Sequence, residues 1–173
     1  MLPPRIDAQA VTEKIGPYAD PGATLEERGA VYKELLGFVP PRIEARFAVT
    51  GALDPELLDL QERLRAHAMY PRCFDVKTAQ LMLFGMLLMD LSDAALLHAL
   101  AARRAGATWE ELQATVSLCF LFRGLSAANR GAEILANLAR REQEAGPPHP
   151  NPSPPRGEGR QGTPSPLGGE GEG

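Results

Sequence analysis

Between Thr24 and Glu144 the apolar positions recur at intervals of three and four, and no stretch alternates with period two for long enough to make a strand. The pattern therefore predicts an all-α chain. Thr24 and Glu27 form a capping box for a helix over 25–36 that Gly37 stops. Pro40 and Pro41 start a second helix, to about Val49, because proline suits a first helical turn. Asp54 and Pro55 open a third, to about Met69, with Leu57, Leu58, Leu60 and Leu64 as its apolar face. Asp75 caps the next, through about Met89, and its run from Leu81 reads as a helix buried on all sides. Ser92 is expected to cap another, through about Arg104, that Gly106 ends. A second capping box, Thr108 with Glu111, opens a helix through Phe122, and Gly124 and Ser126 lead into a last one over about 127–144. A short extra helix fits between Ile6 and Tyr18. The fold expected is a compact bundle of about six helices.

Composition divides the chain in three: an N-terminal extension over 1–23, a helical domain over 24–145, and a tail over 146–173. The tail is Pro, Gly, Ser and a few charges, with Leu167 its one large apolar residue, and the run Pro152–Gly159 is echoed by Pro164–Gly171. Such a segment buries too little apolar surface to offset its ordering entropy, so disorder is expected. A proline-rich ligand tail is the alternative.

The chain as a whole has ordinary globular composition, 44% hydrophobic and 23% charged. A formal net charge of −4 leaves no basic surplus for phosphates, which argues against nucleic acid as partner. The Leu81–Met89 run is far shorter than the roughly 20 residues a membrane span needs, which argues against a membrane. Cys73 and Cys119 lie far apart and make no C-x-x-C, and no apolar leader follows Met1, so a cytoplasmic setting is expected.

The order of several segments carries more information than any one of them. Leu35-Leu36-Gly37-Phe38-Val39-Pro40-Pro41 and Leu53-Asp54-Pro55-Glu56-Leu57 come first. Phe74 to Leu81 is similar to an L-D-x-K-T-R-E-L helix start. His98, Ala102, Gly106, Ala107, Thr108, Glu110, Glu111 and Leu112 match H-x-x-x-A-x-x-x-G-A-T-x-E-E-L, and Gly124 to Asn129 is close to G-V-P-A-A-N. In this order they resemble the carboxymuconolactone decarboxylase family, within the alkylhydroperoxidase D-like superfamily, over about Thr24 to Leu138. The resemblance implies a helical domain that assembles as a trimer or hexamer, and the apolar last two helices suit self-association.

The superfamily's peroxidase branch relays protons from a Glu and a His around a C-x-x-C dithiol. Here Leu91 and Ala94 stand seven and four residues before His98, Gln80 replaces the Glu, and the stretch from Gln80 to His98 is one residue short. Without a thiolate there is no nucleophile for peroxide, so thiol redox is disfavoured. The decarboxylase branch needs no thiol, metal or organic cofactor. The resemblance therefore implies a cofactor-independent lyase or isomerase acting on a small carboxylated lactone or related ring-cleavage product. Such a reaction needs an acid/base, a cation for carboxylate and donors for a developing oxyanion.

His98 is the candidate acid/base, since imidazole titrates near neutrality. Arg123, following the apolar run Leu118 to Phe122, is the candidate carboxylate anchor, with helix-dipole complementation as its alternative. Gln80 and Asn129 are candidate hydrogen-bond donors to substrate, or else a polar group of a buried helix and a capping residue. Asp93 is a weaker candidate acid beside a structural reading at a helix start, and His67 and Tyr70 suit a cap or a pocket rim. Cys119 reads as a small core residue. The competing function is a non-catalytic helical module for oligomerisation or ligand binding.

Overall fold

The computed structural model describes residues 4–145, so the expectation of disorder over 146–173 lies outside it. The described residues form eight helices and no strand: α1 Ala8–Lys14, α2 Leu25–Leu36, α3 Pro41–Leu53, α4 Pro55–Met69, α5 Val76–Met89, α6 Ala95–Arg104, α7 Trp109–Arg123 and α8 Leu125–Ala145. Seven helices follow Thr24, one for each segment read from the sequence and one more than the bundle of about six expected, and the links between them are very short. Asp54 alone divides α3 from α4, ending one and accepting from the Leu57 N–H at 3.0 Å to cap the other. No helix among the described residues is long and apolar enough to cross a membrane.

Both capping boxes form, Thr24 with Glu27 and Thr108 with Glu111. Ser92 does not cap α6, which starts three residues later with Ala94 in the cap position and no side-chain cap bond. The cause is the end of α5. Ser92 N–H bonds the Leu87 carbonyl at 2.9 Å and Leu91 N–H bonds the Leu88 carbonyl at 3.0 Å, the paired bonds of a Schellman ending. Ser92 thus finishes one helix with its N–H, while its hydroxyl accepts from the Ala94 N–H at 3.3 Å and its carbonyl from the Ala95 N–H at 3.1 Å, opening a turn ahead of α6 and not the helix itself. α6 ends with the same two bonds, from Ala107 to Ala102 and from Gly106 to Arg103. The left-handed position is glycine there (Gly106, φ +93°) but leucine after α5 (Leu91, φ 53°).

Two apolar clusters share α6. One gathers Phe84, Leu88, Leu112, Val116, Ile134 and Leu138 from α5, α7 and α8 around Ala95, Ala99 and Ala102. The other gathers Tyr32, Leu35, Phe47 and Leu58 from α2, α3 and α4 around Ala101. Alanines on both sides of one helix let both halves approach its backbone. A Cβ on Gly131 would lie 2.6 Å from Val116, so α7 and α8 meet as closely as glycine permits. The N-terminal segment is tied down too: the Tyr18 ring lies over Gly51, and Arg28 pairs with Asp20 and Asp59.

Two helix faces depart from the sequence reading. α4 buries Leu58 and Glu62 and turns Leu57, Leu60 and Leu64 outward, Leu64 being 69% exposed. The polar residues of its buried face find ionic partners, which makes that orientation affordable. α5 is not enclosed on all sides, because Met82 and Met86 lie one turn apart on an exposed stripe. On α7 and the start of α8, Leu118, Leu121, Phe122 and Leu125 form a further apolar stripe, with Phe122 84% exposed.

Leucine held in a left-handed conformation costs about 1 kcal/mol that glycine does not. Leu91→Gly should raise stability by about 0.5–1 kcal/mol, read as a higher urea midpoint at unchanged slope. A lower midpoint would mean that the Leu91 side chain contributes more by packing than its backbone costs.

Candidate functional site

α5 and α6 place two of the expected site residues in contact. Gln80, in the second turn of α5, is 0% exposed, and its Oε1 lies 2.8 Å from His98 Nδ1 on α6. An amide oxygen only accepts, so this contact puts the imidazole proton on Nδ1 and leaves the Nε2 lone pair free. The Gln80 Nε2 amide is buried and has no hydrogen-bond partner. An unmet buried donor is uncommon and costs about 1–3 kcal/mol.

Burial pushes the His98 imidazole down to about 4, and the Arg65 cation adds to the fall. His98 is therefore a neutral imidazole at neutral pH in the ligand-free protein. The sequence expectation of titration near neutrality gives way to that desolvation.

Arg65 belongs to a group that the sequence reading did not single out. Glu62 on α4 pairs with Arg46 of α3 and, at 3.2 Å, with Arg65. The Tyr32 hydroxyl donates to Glu62 at 3.1 Å and accepts from Arg46 at 3.1 Å. Arg46 also donates to Gln61 at 3.0 Å. The Arg65 guanidinium lies over the Tyr32 ring, 4.2 Å from its centroid, and donates to the Met69 sulfur at 3.4 Å. Burial pushes the Tyr32 phenol up to about 12, and raises Tyr70 as well, with Arg65 opposing both. The one available signal was the spacing of Leu58, Glu62, Arg65 and Met69, a helical face that the more apolar leucine face of α4 outweighs in any hydrophobic reading.

The other expected residues lie elsewhere. Arg123, at the end of α7, is exposed and makes no ion pair among the described residues, and its apolar neighbours are exposed with it. Asn129, in the second turn of α8, is exposed. Neither is hydrogen-bonded to Gln80 or His98. Asp93 pairs with Arg130 at 2.5 Å and Arg42 at 3.4 Å, an ion-pair role. Cys73 is exposed. Cys119 packs among α5, α7 and α8, with its thiol directed to the Gly85 carbonyl at 3.4 Å, and burial pushes that thiol up, away from thiolate. Among the described residues no group of three or more His, Cys, Asp or Glu side chains is placed to hold a metal.

No family model, curated protein or solved structure matches this chain. The likeness to carboxymuconolactone decarboxylases rests on its own residues alone.

The depressed His98 value links the site to stability. An unfolded histidine takes its proton near 6.5, the folded one near 4, so between these values the unfolded chain binds more protons. Stability is full above pH 6.5 and falls by up to about 3 kcal/mol as the pH drops to 4. His98→Gln should lose this component, so the wild-type and variant urea midpoints should converge on acidification. Parallel profiles would show that His98 is not held neutral by the fold.

Proposed function

We propose that this protein is a cofactor-independent lyase or isomerase acting on a small carboxylated lactone or related ring-cleavage product, with His98 as its acid/base. The observation that carries this reading is the buried Gln80–His98 hydrogen bond, which orients a neutral imidazole with its Nε2 free and involves neither thiol. In a decarboxylation the bond to the departing carboxylate breaks, its electron pair moves into the conjugated lactone carbonyl, carbon dioxide leaves, and carbon takes a proton. A neutral imidazole is poised to serve once an anionic substrate is beside it. The substrate's charge offsets that of Arg65 and raises the basicity of Nε2, which gains a proton and delivers it to carbon. Thiol redox is supported less, because Leu91 and Ala94 occupy the dithiol positions and the Cys119 thiol is pushed up by burial.

The test is an ultraviolet assay with 4-carboxymuconolactone. Wild-type protein is expected to form enol-lactone, and His98→Ala to lose at least a hundredfold in turnover. Full turnover in the variant would remove His98 from the chemistry, and no turnover in the wild type would remove the named reaction.

Self-association, as trimer or hexamer, belongs to the same proposal. Its support is the exposed apolar stripe of α7 and α8, and a second stripe of Leu53, Leu57, Leu60 and Leu64 along the end of α3 and α4. The latter has heptad spacing, and an antiparallel copy of α4 would set Glu56 opposite Arg63. These faces also suit the competing reading, a non-catalytic oligomerisation or binding module. In sedimentation the wild type should exceed monomer mass and Leu121→Glu/Phe122→Glu should lower it; monomeric wild-type protein would exclude the assembly.

A further inference from the structure

The charges around Glu62 do not cancel. Arg46 and Arg65 both pair with this one carboxylate, leaving one positive charge in excess in a largely enclosed place. The Arg65 side chain is only 18% exposed. Glu34 on α2, a carboxylate that acts on the same Tyr70 as Arg65 does, is exposed. Tyr32 and Met69 give Arg65 a ring face and a sulfur, which place the guanidinium without neutralising it. An uncompensated buried cation is costly, and so is an unmet buried amide donor. Both costs fall beside the same ring. The Arg65 cation acts on the His98 imidazole, and Gln80 reaches that ring through its other amide atom, 2.8 Å from Nδ1.

We propose that Arg65 and the amide nitrogen of Gln80 seat a planar carboxylate beside the His98 imidazole. One oxygen would accept from the guanidinium and the other from Gln80 Nε2, so the ligand supplies both the missing charge and the missing acceptor. A single excess charge with one fixed amide donor suits a carboxylate monoanion better than a phosphate dianion. The inference rests on the lyase reading insofar as it takes His98 as the group beside which the ligand lies. It moves the anchor from Arg123, which is at the surface, to the buried face of α4.

The test uses the intact protein and benzoate as a probe, followed by nuclear magnetic resonance of the histidine ring protons. Benzoate should bind saturably and shift the His98 titration upward from about 4. Affinity should fall at least tenfold in Arg65→Met and in Gln80→Ala, and stay unchanged in Arg140→Met, a substitution on the exposed side of α8. Should Arg65→Met not fold, Gln80→Ala and the wild-type His98 shift decide alone. Absence of saturable binding overturns the proposal, as does binding that leaves His98 unmoved or is indifferent to the folded variants. Inorganic phosphate should bind at least tenfold more weakly, and phosphate that displaces benzoate overturns the carboxylate assignment. Benzoate binding without lactone turnover keeps the seat and removes the lyase. Turnover that survives Arg65→Met does the reverse.

Discussion

The packing of two apolar clusters against one alanine-rich helix is the constraint from which the rest of this structure follows. α6 carries alanine at 95, 99, 101 and 102, all buried, and so lets both neighbours approach its backbone at those positions, while Leu96, Leu97 and Leu100 fill the space alongside. Both halves of the chain therefore close down onto its backbone. A larger residue at any of these positions would push one half away, since interiors this tight respond to a single added methylene. The same closeness excludes water from any polar group set near the helix. Gln80 is where this is felt most, fully buried with half of its amide unanswered.

Polar groups in that dry junction are handled in two different ways. The imidazole of His98 gives up its charge, which costs nothing further in a low-dielectric site. The group on α2, α3 and α4 keeps its charges and surrounds them: Glu62 accepts from two guanidiniums and a phenol, and Tyr32 is at once donor, acceptor and ring face. Paired this thoroughly, the ions are tolerable, although a pair so enclosed brings little net stability of its own. The two solutions are coupled. The charge that Glu62 leaves unneutralised on Arg65 acts on His98 and holds the imidazole neutral more firmly than burial alone would.

Local grammar was legible in the sequence, and partnership was not. The capping boxes at Thr24 and Thr108, the cap at Asp75 and the glycine ending at Gly106 are decided within a few residues, so the helices fall where those signals put them. Ser92 misleads because its N–H closes α5 while its hydroxyl opens only a turn, three residues ahead of the first residue of α6. α4 misleads for a larger reason. Its leucines make the better apolar face, yet Glu62 and Arg65 face inward because Arg46 and Tyr32, some 16 and 30 positions away, are waiting for them. Of the site, Gln80 and His98 were visible through the family likeness and do touch. Arg65 was invisible, since nothing near it in the chain announces a buried cation.

The turn between α5 and α6 shows how chemistry and packing trade places in this scaffold. The superfamily's peroxidase branch would hold its thiols at Leu91 and Ala94, and a helix start is a place that favours thiolate. Here Ala94 merely begins the helix, and Leu91 holds a left-handed backbone that glycine would hold without strain. No thiol stands in the turn. The polar groups of interest lie on α4, α5 and α6: a neutral imidazole, the amide that bonds it and has one atom unanswered, and the Arg65 cation that acts on it. A reaction carried there would have to be one that begins with an anion, because an anion answers the excess cation and the unmet amide donor, and its charge raises the basicity of the imidazole that then carries the proton. That is the physical reason the lyase reading fits the residues better than a thiol chemistry relocated to Cys119, whose surroundings favour the neutral thiol.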